Sequence, residues 1–180
     1  MSRNLTRRRN LAGMAIQRHD EVDTIVQAWE RERPDLDATP LQVLSRISRL
    51  ARRLEQARAD TFTAHDLDGW EFDVLAALRR TAAPHELSPG ALIQETLVTS
   101  GTMTNRVDRL EQRGFVERRR DTADRRGVLV RLTATGGRVV DAAFADLLAR
   151  EQLLLNALPA RERDRLASSL RRLLSAVEEP

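Results

Sequence analysis

Residues Leu87–Thr133 read LSPGALIQETLVTSGTMTNRVDRLEQRGFVERRRDTADRRGVLVRLT. Ser88 followed by Pro89 predicts a helix start, a capping hydroxyl ahead of the residue best suited to the first helical position. Leu92 and Leu97 are expected to anchor that short helix and its exit. A second helix is expected to begin near Thr99 or Ser100. Its Met103, Val107 and Leu110 recur at steps of four and three and so share one buried face. Thr102, Thr104, Asn105, Arg106 and Arg109 fall largely outside that stripe. Gly114 supplies the backbone freedom that ends such a helix. Beyond it the period changes. Phe115–Arg118 and Val128–Leu132 read as short strands, and Arg119–Gly127 as the polar loop of a hairpin. Two short helices, a tight connection and a hairpin predict a winged helix-turn-helix.

The segment Gly101–Arg131 holds nine arginines against five acids. Guanidinium groups bind phosphate bidentately or enter a narrow minor groove. Arginine is the only basic residue here apart from histidine, however, so the pattern by itself leaves both a DNA-binding unit and a purely structural one open.

The rest of the composition narrows the classes. The 180 residues suffice for one domain with extensions, and 41% hydrophobic content supports a core. Aromatic residues make up only 3%, so that core is built of aliphatic side chains. A net charge of +3 is too small to argue for nucleic acid on its own, so local clustering has to carry that argument. The absence of cysteine removes disulfides, thiolate chemistry and the usual soft zinc ligands. No apolar run is long enough to span a membrane and the start lacks the apolar core of a secretion signal, so a cytoplasmic protein is expected.

Four regions are expected. Residues 1–18 carry Arg3, Arg7, Arg8, Arg9 and Arg18 without an acid, either an arm along DNA phosphate or a tail with no task. Residues 19–66 hold two helices. In the first, Val22, Ile25, Val26 and Trp29 form a stripe. The second starts at Thr39-Pro40 and is lined by Leu44, Ile47, Leu50, Ala51 and Leu54. Residues 67–133 form the winged unit, opening with Trp70–Leu78 as a compact helix. Residues 134–180 form two long helices. Val140, Ala143, Phe144, Leu147, Leu148, Leu154 and Leu155 band the first, and Leu166, Leu170, Leu173 and Val177 line the second. Two consecutive helices with apolar faces of their own need a partner surface, and a second copy is the simplest. The fold class is therefore mainly α.

Catalysis has little support. His19, His65 and His85 sit far apart, no nucleophile or phosphate-cradling motif occurs, and Gly136-Gly137 reads as local helix geometry. Neither an enzyme nor a cofactor is expected.

Leu110-Glu111-Gln112-Arg113-Gly114-Phe115-Val116-Glu117-Arg118, then Asp124-Arg125-Arg126, then Val130-Arg131-Leu132-Thr133 with Gly136 or Gly137, together resemble the MarR family of winged-helix transcription regulators. The likeness extends over about residues 20 to 177. It implies a homodimer on double-stranded DNA. Thr102, Thr104, Asn105 and Arg109, by their position opposite the buried stripe of the second helix, are the expected DNA contacts, together with Arg106, Arg125 and Arg126. Within the family the chain looks most like the urate-responsive branch and its aconitate- and citrate-responsive relatives, whose added N-terminal helix carries a tryptophan. That likeness rests on Trp-Glu-Phe-Asp-Val-Leu and Thr-Asn-Arg-Val-Asp-Arg-Leu-Glu. It implies a ligand set of Trp29, Asp73, Arg106 and Arg118 for a small anionic metabolite of the urate, citrate or trans-aconitate class. From the residues alone, Trp29 equally suits packing, and Asp73 and Arg106 equally suit a structural salt bridge. The expected function is a repressor released from a near-palindromic operator by that anion. The alternative is an architectural or protein-interaction protein of the same fold without effector control.

Overall fold

A computed structural model describes residues 19–121 and 127–178. The chain divides into two compact units, Met1–Glu55 and Gln56–Pro180.

In the first unit, α1 (Glu21–Glu32) is opened by Asp20, whose carboxylate accepts from the amides of Val22 and Asp23 while Asp23 returns the bond to the Asp20 amide. Val22 and Val26 are its buried residues. Arg46 of α2 (Pro40–Thr63) bonds both Asp20 and Asp23 and holds their carboxyls below the usual range; for Asp23 the Asp20 amide is the larger cause. Trp29 is 50% exposed, and Val43, Leu44 and Leu50 of α2 are exposed as well.

The second unit begins with the last residues of α2. It continues with α3 (Gly69–Arg80), β1 (Glu86–Leu87), α4 (Pro89–Thr96), α5 (Ser100–Gln112), β2 (Val116–Arg120), β3 (Val128–Leu132), α6 (Ala134–Leu155) and α7 (Ala160–Glu178). The three strands lie in the order β1-β3-β2, antiparallel throughout. Val116 pairs with Leu132 and Arg120 with Val128. One aliphatic core joins Leu75 and Leu78 of α3, Leu92 of α4, Met103, Val107 and Leu110 of α5, Val116 and Val130 of the sheet, and Val140, Ala143 and Leu147 of α6. The helix starts follow the sequence signals. Ser88 caps α4 through the Ala91 amide, Thr99 caps α5, and Thr133 caps α6 through the Gly136 amide. Gly114 follows α5 at φ 69°, the left-handed region its position requires.

Three expectations change. Leu97 is no anchor: it caps α4 in the left-handed conformation at φ 53°, and its side chain is 91% exposed. The turn aims it outward, and Leu92, Ile93 and Val98 do the packing. Arg119 and Arg120, expected in the hairpin loop, belong to β2, because Val128 and Leu129 extend the ladder to meet them. Finally, β1 had no sequence counterpart; two residues carry no periodicity, and tertiary pairing with β3 creates the strand.

The band on α6 and the stripe on α7 are only partly covered. Phe144, Leu148 and Leu154 are about half exposed, as are Leu166 and Leu173, and Val177 is nearly fully exposed. Among the described residues no helix is long and apolar enough to cross a membrane.

A candidate nucleic-acid interface

Helix α5 places its residues by simple geometry. Met103, Val107 and Leu110 face the core, and successive residues turn by roughly 100°. Thr102, Thr104, Asn105 and Arg109 are therefore exposed, and Arg106 is partly buried at the margin. The Thr104 hydroxyl donates to the Ser100 carbonyl at 3.1 Å, and the Thr99 and Thr102 hydroxyls bond each other at 2.9 Å. The Asn105 side chain makes no hydrogen bond to a described residue, so its amide retains the donor and acceptor that a bidentate adenine contact uses.

Arg106, Arg109 and Arg113 share one side of α5, facing the first turn of α3. The guanidinium carbons of Arg106 and Arg109 lie over the Trp70 ring, 5.4 and 4.7 Å from its centroid. The indole N–H of Trp70 donates to Asp68 at 3.0 Å, and Arg109 approaches the same carboxylate at 3.7 Å. Arg113 is held differently. It donates to the Glu71 carboxylate and to the Asp66 carbonyl and carboxylate, each at 2.6 Å, and lies over the Phe115 ring at 4.6 Å. Glu71 is 1% exposed; its second oxygen also accepts from the Asp68 amide, whereas its first has no partner. This cluster fixes the C-terminal end of α5 against α3.

The far side of α5 is tied to the wing. Arg118 of β2 donates to Asp108 and Glu111, both at 2.5 Å, and its amide donates to Glu111 at 3.0 Å. Burial works against the charged form of Arg118, but the two carboxylates outweigh it together and leave the guanidinium pKa raised. Arg119 approaches Glu117 at 3.6 Å, and Arg120 is exposed at the end of β2. The hairpin closes where the Asp121 amide donates to the Gly127 carbonyl at 3.0 Å. Asp124, Arg125 and Arg126, and the N-terminal arm, lie outside the described residues.

The four residues implied as ligand contacts divide as follows. Trp29 stands on α1 of the first unit. Asp73 and Arg106 interact electrostatically without forming an ion pair; burial raises the Asp73 carboxyl, opposed by the charges of Arg106, Arg58 and Arg80. Arg118 lies on the side of α5 that bears Asp108 and Glu111, roughly 150° around the helix from Arg106. Trp70, Glu71 and Arg113 are contributors that the local sequence does not single out. The spacing Asp68-x-x-Glu71 was available as a capping signal, but nothing local announces the Trp70 or Arg113 partners. Among the described residues no group of three or more histidines and acids gathers as metal ligands.

A three-helix core with an exposed polar helix face, followed by a basic antiparallel hairpin, defines a winged helix-turn-helix protein. The profile of the MarR family matches residues 65–127. The HTH-type transcriptional regulator PecS of Dickeya dadantii is 36% identical over 161 residues, covering 89% of this chain and 95% of that protein. The HTH-type transcriptional repressor NicR of Pseudomonas putida is 31% identical, covering 79% and 91%. Among solved structures, Sco5413, a MarR family transcriptional regulator from Streptomyces coelicolor, superposes with a TM-score of 0.64 at 26% identity, covering 79% of this chain and 98% of its own. The chain belongs to the MarR family of DNA-binding transcription regulators.

Proposed function

We propose that this regulator is a repressor that binds a near-palindromic operator as a homodimer and is released by a small anionic metabolite. The exposed face of α5 carries the reading. The Asn105 side chain is unbonded to any described residue, Thr102 and Arg109 stand exposed beside it, and the wing follows immediately. In this proposal α5 enters the major groove. Asn105 reads adenine and the arginines read guanine or phosphate. Arg125 and Arg126 also contact DNA, Arg126 in the minor groove. Apolar faces open on α6 and α7 support pairing with a second copy, which would set two reading helices at a half-site spacing.

The effector reading rests on the likeness to the urate-responsive branch. Trp29 supplies an apolar wall, Asp73 an acceptor, and Arg106 and Arg118 positive charge toward urate, citrate or trans-aconitate. An effector releases DNA only if it favours the non-binding arrangement over the bound one. Arg106 offers that lever, since it belongs to the reading helix and feels the charge of Asp73. In this structure Arg118 is already paired with Asp108 and Glu111, so an anion drawing on Arg118 has to compete with two carboxylates.

The test is binding to the intergenic DNA upstream of the protein's own gene, with and without urate, citrate and trans-aconitate at millimolar concentration. The proposal expects tight binding that one of these anions weakens. Trp29→Phe and Asp73→Asn should keep near-normal affinity and lose response. Tight binding indifferent to all three anions would favour the architectural alternative.

A further inference from the structure

We propose that Trp70 is a positioning residue for DNA recognition, an aromatic platform that holds Arg106 and Arg109 in place while leaving their charge available. The inference rests on the reading that these two arginines face DNA.

Arg106 and Arg109 are three residues apart on α5, which puts both side chains on one strip of the helix surface. Both guanidiniums lie over the same ring. The ring is fixed in turn: part of it packs on the core, and its N–H donates to Asp68 at 3.0 Å. The next arginine on this strip, Arg113, shows what the alternative does. It is held by carboxylates at 2.6 Å, so its charge is consumed within the protein. A carboxylate holding Arg106 or Arg109 as closely would compete with phosphate or guanine for the same N–H groups. An aromatic face attracts a guanidinium through its quadrupole and leaves the in-plane donors free. Among the described residues Asp68 alone forms an ion pair with either arginine, reaching Arg109 at 3.7 Å while itself exposed, a contact of little net value; Asp73 acts on Arg106 at longer range, without an ion pair. An ordered but uncancelled guanidinium also loses less side-chain entropy when it meets DNA.

The experiment uses the intact protein and a labelled duplex that the protein itself selects from a random-sequence pool. Affinities are measured for wild type, Trp70→Leu, Trp70→Phe, Arg106→Ala/Arg109→Ala and the triple variant with Trp70→Leu, with thermal melting followed alongside. Trp70→Leu is expected to weaken binding about 5- to 30-fold, the value of two partly exposed cation–π contacts. Trp70→Phe should recover most of that. In the background without the two arginines, Trp70→Leu should change affinity less than about 2-fold, because coupled residues are not additive. An equal loss from Trp70→Leu in both backgrounds would make the ring merely structural and overturn the platform while the arginine–DNA reading stands. Normal binding by Trp70→Leu in the wild-type background would overturn it too. Wild-type affinity in Arg106→Ala/Arg109→Ala would remove the arginine–DNA reading and the platform with it. Should Trp70→Leu fail to fold, Trp70→Met against Trp70→Phe makes the same comparison.

Discussion

Replacing Arg113 by methionine tests how the reading helix is held. The side chain of Glu71 is only 2% exposed and Arg113 is its sole charged partner among the described residues, whereas the Asp66 side chain is 97% exposed. Removing one member of a buried ion pair typically costs about 3–5 kcal/mol, because the other charge is left without compensation. Arg113 is 29% exposed, so water reaches the pair in part and the cost falls toward the lower end. The exposed pair with Asp66 adds at most about 1 kcal/mol. Arg113→Met should therefore lose about 3 kcal/mol, read as a lower urea midpoint at pH 7 and fixed protein concentration. The partner substitution Glu71→Leu, added to it, should restore much of the loss, since an apolar pair removes the stranded carboxylate. A loss below about 1 kcal/mol, or a double variant no better than the single one, would refute the view that this pair pins α5 to α3.

Gly136→Ala should destabilise by about 2–4 kcal/mol, because overpacking against backbone cannot relax cheaply: its Cβ would stand 2.2 Å from the Phe115 carbonyl oxygen. Gly137→Ala is the control in the same denaturation series and should be neutral or stabilising, since its Cβ meets only Leu132 at 3.8 Å. Burial raises the Asp73 carboxyl above its usual value, so the folded state binds that proton more tightly. Stability should then fall as pH rises through the window between the unfolded and folded values, and stay lower above it. Asp73→Asn is accordingly expected to raise the denaturation midpoint at pH 7 and to leave it unchanged near pH 3, and a neutral-pH loss would reverse that reasoning. Glutamates at both Leu170 and Leu173 should convert a dimer to a monomer by sedimentation; a wild-type protein that sediments as a folded monomer at micromolar concentration would remove the basis for the homodimer.

Much of the fold was legible because its signals are local. Ser88-Pro89, Thr99 and Gly114 announce helix ends, and Met103, Val107 and Leu110 announce a buried face one turn at a time. The hairpin was legible as far as the alternation of Phe115–Arg118 and Val128–Leu132 reached. Leu97 misled because its hydrophobicity argued for burial, whereas its exposure follows from a left-handed turn that composition does not encode. The exposed polar face of α5 could be anticipated as the complement of its buried stripe. What fixes that face could not. Trp70 meets Arg106 and Arg109, and Glu71 meets Arg113, only after α3 and α5 pack together. Arg118 shows the same limit in the other direction: as a lone arginine on a strand it looked available, and folding gave it Asp108 and Glu111.

The central claim is that the exposed face of α5 reads the major groove. The chain has no cysteine, so Asn105→Cys introduces a unique thiol to which a DNA-cleaving iron chelate can be tethered. The account predicts strand cleavage centred in the major groove of each half-site of the selected duplex, with none from the same chelate placed by Arg150→Cys on α6. Cleavage from position 150 with none from position 105 would contradict it.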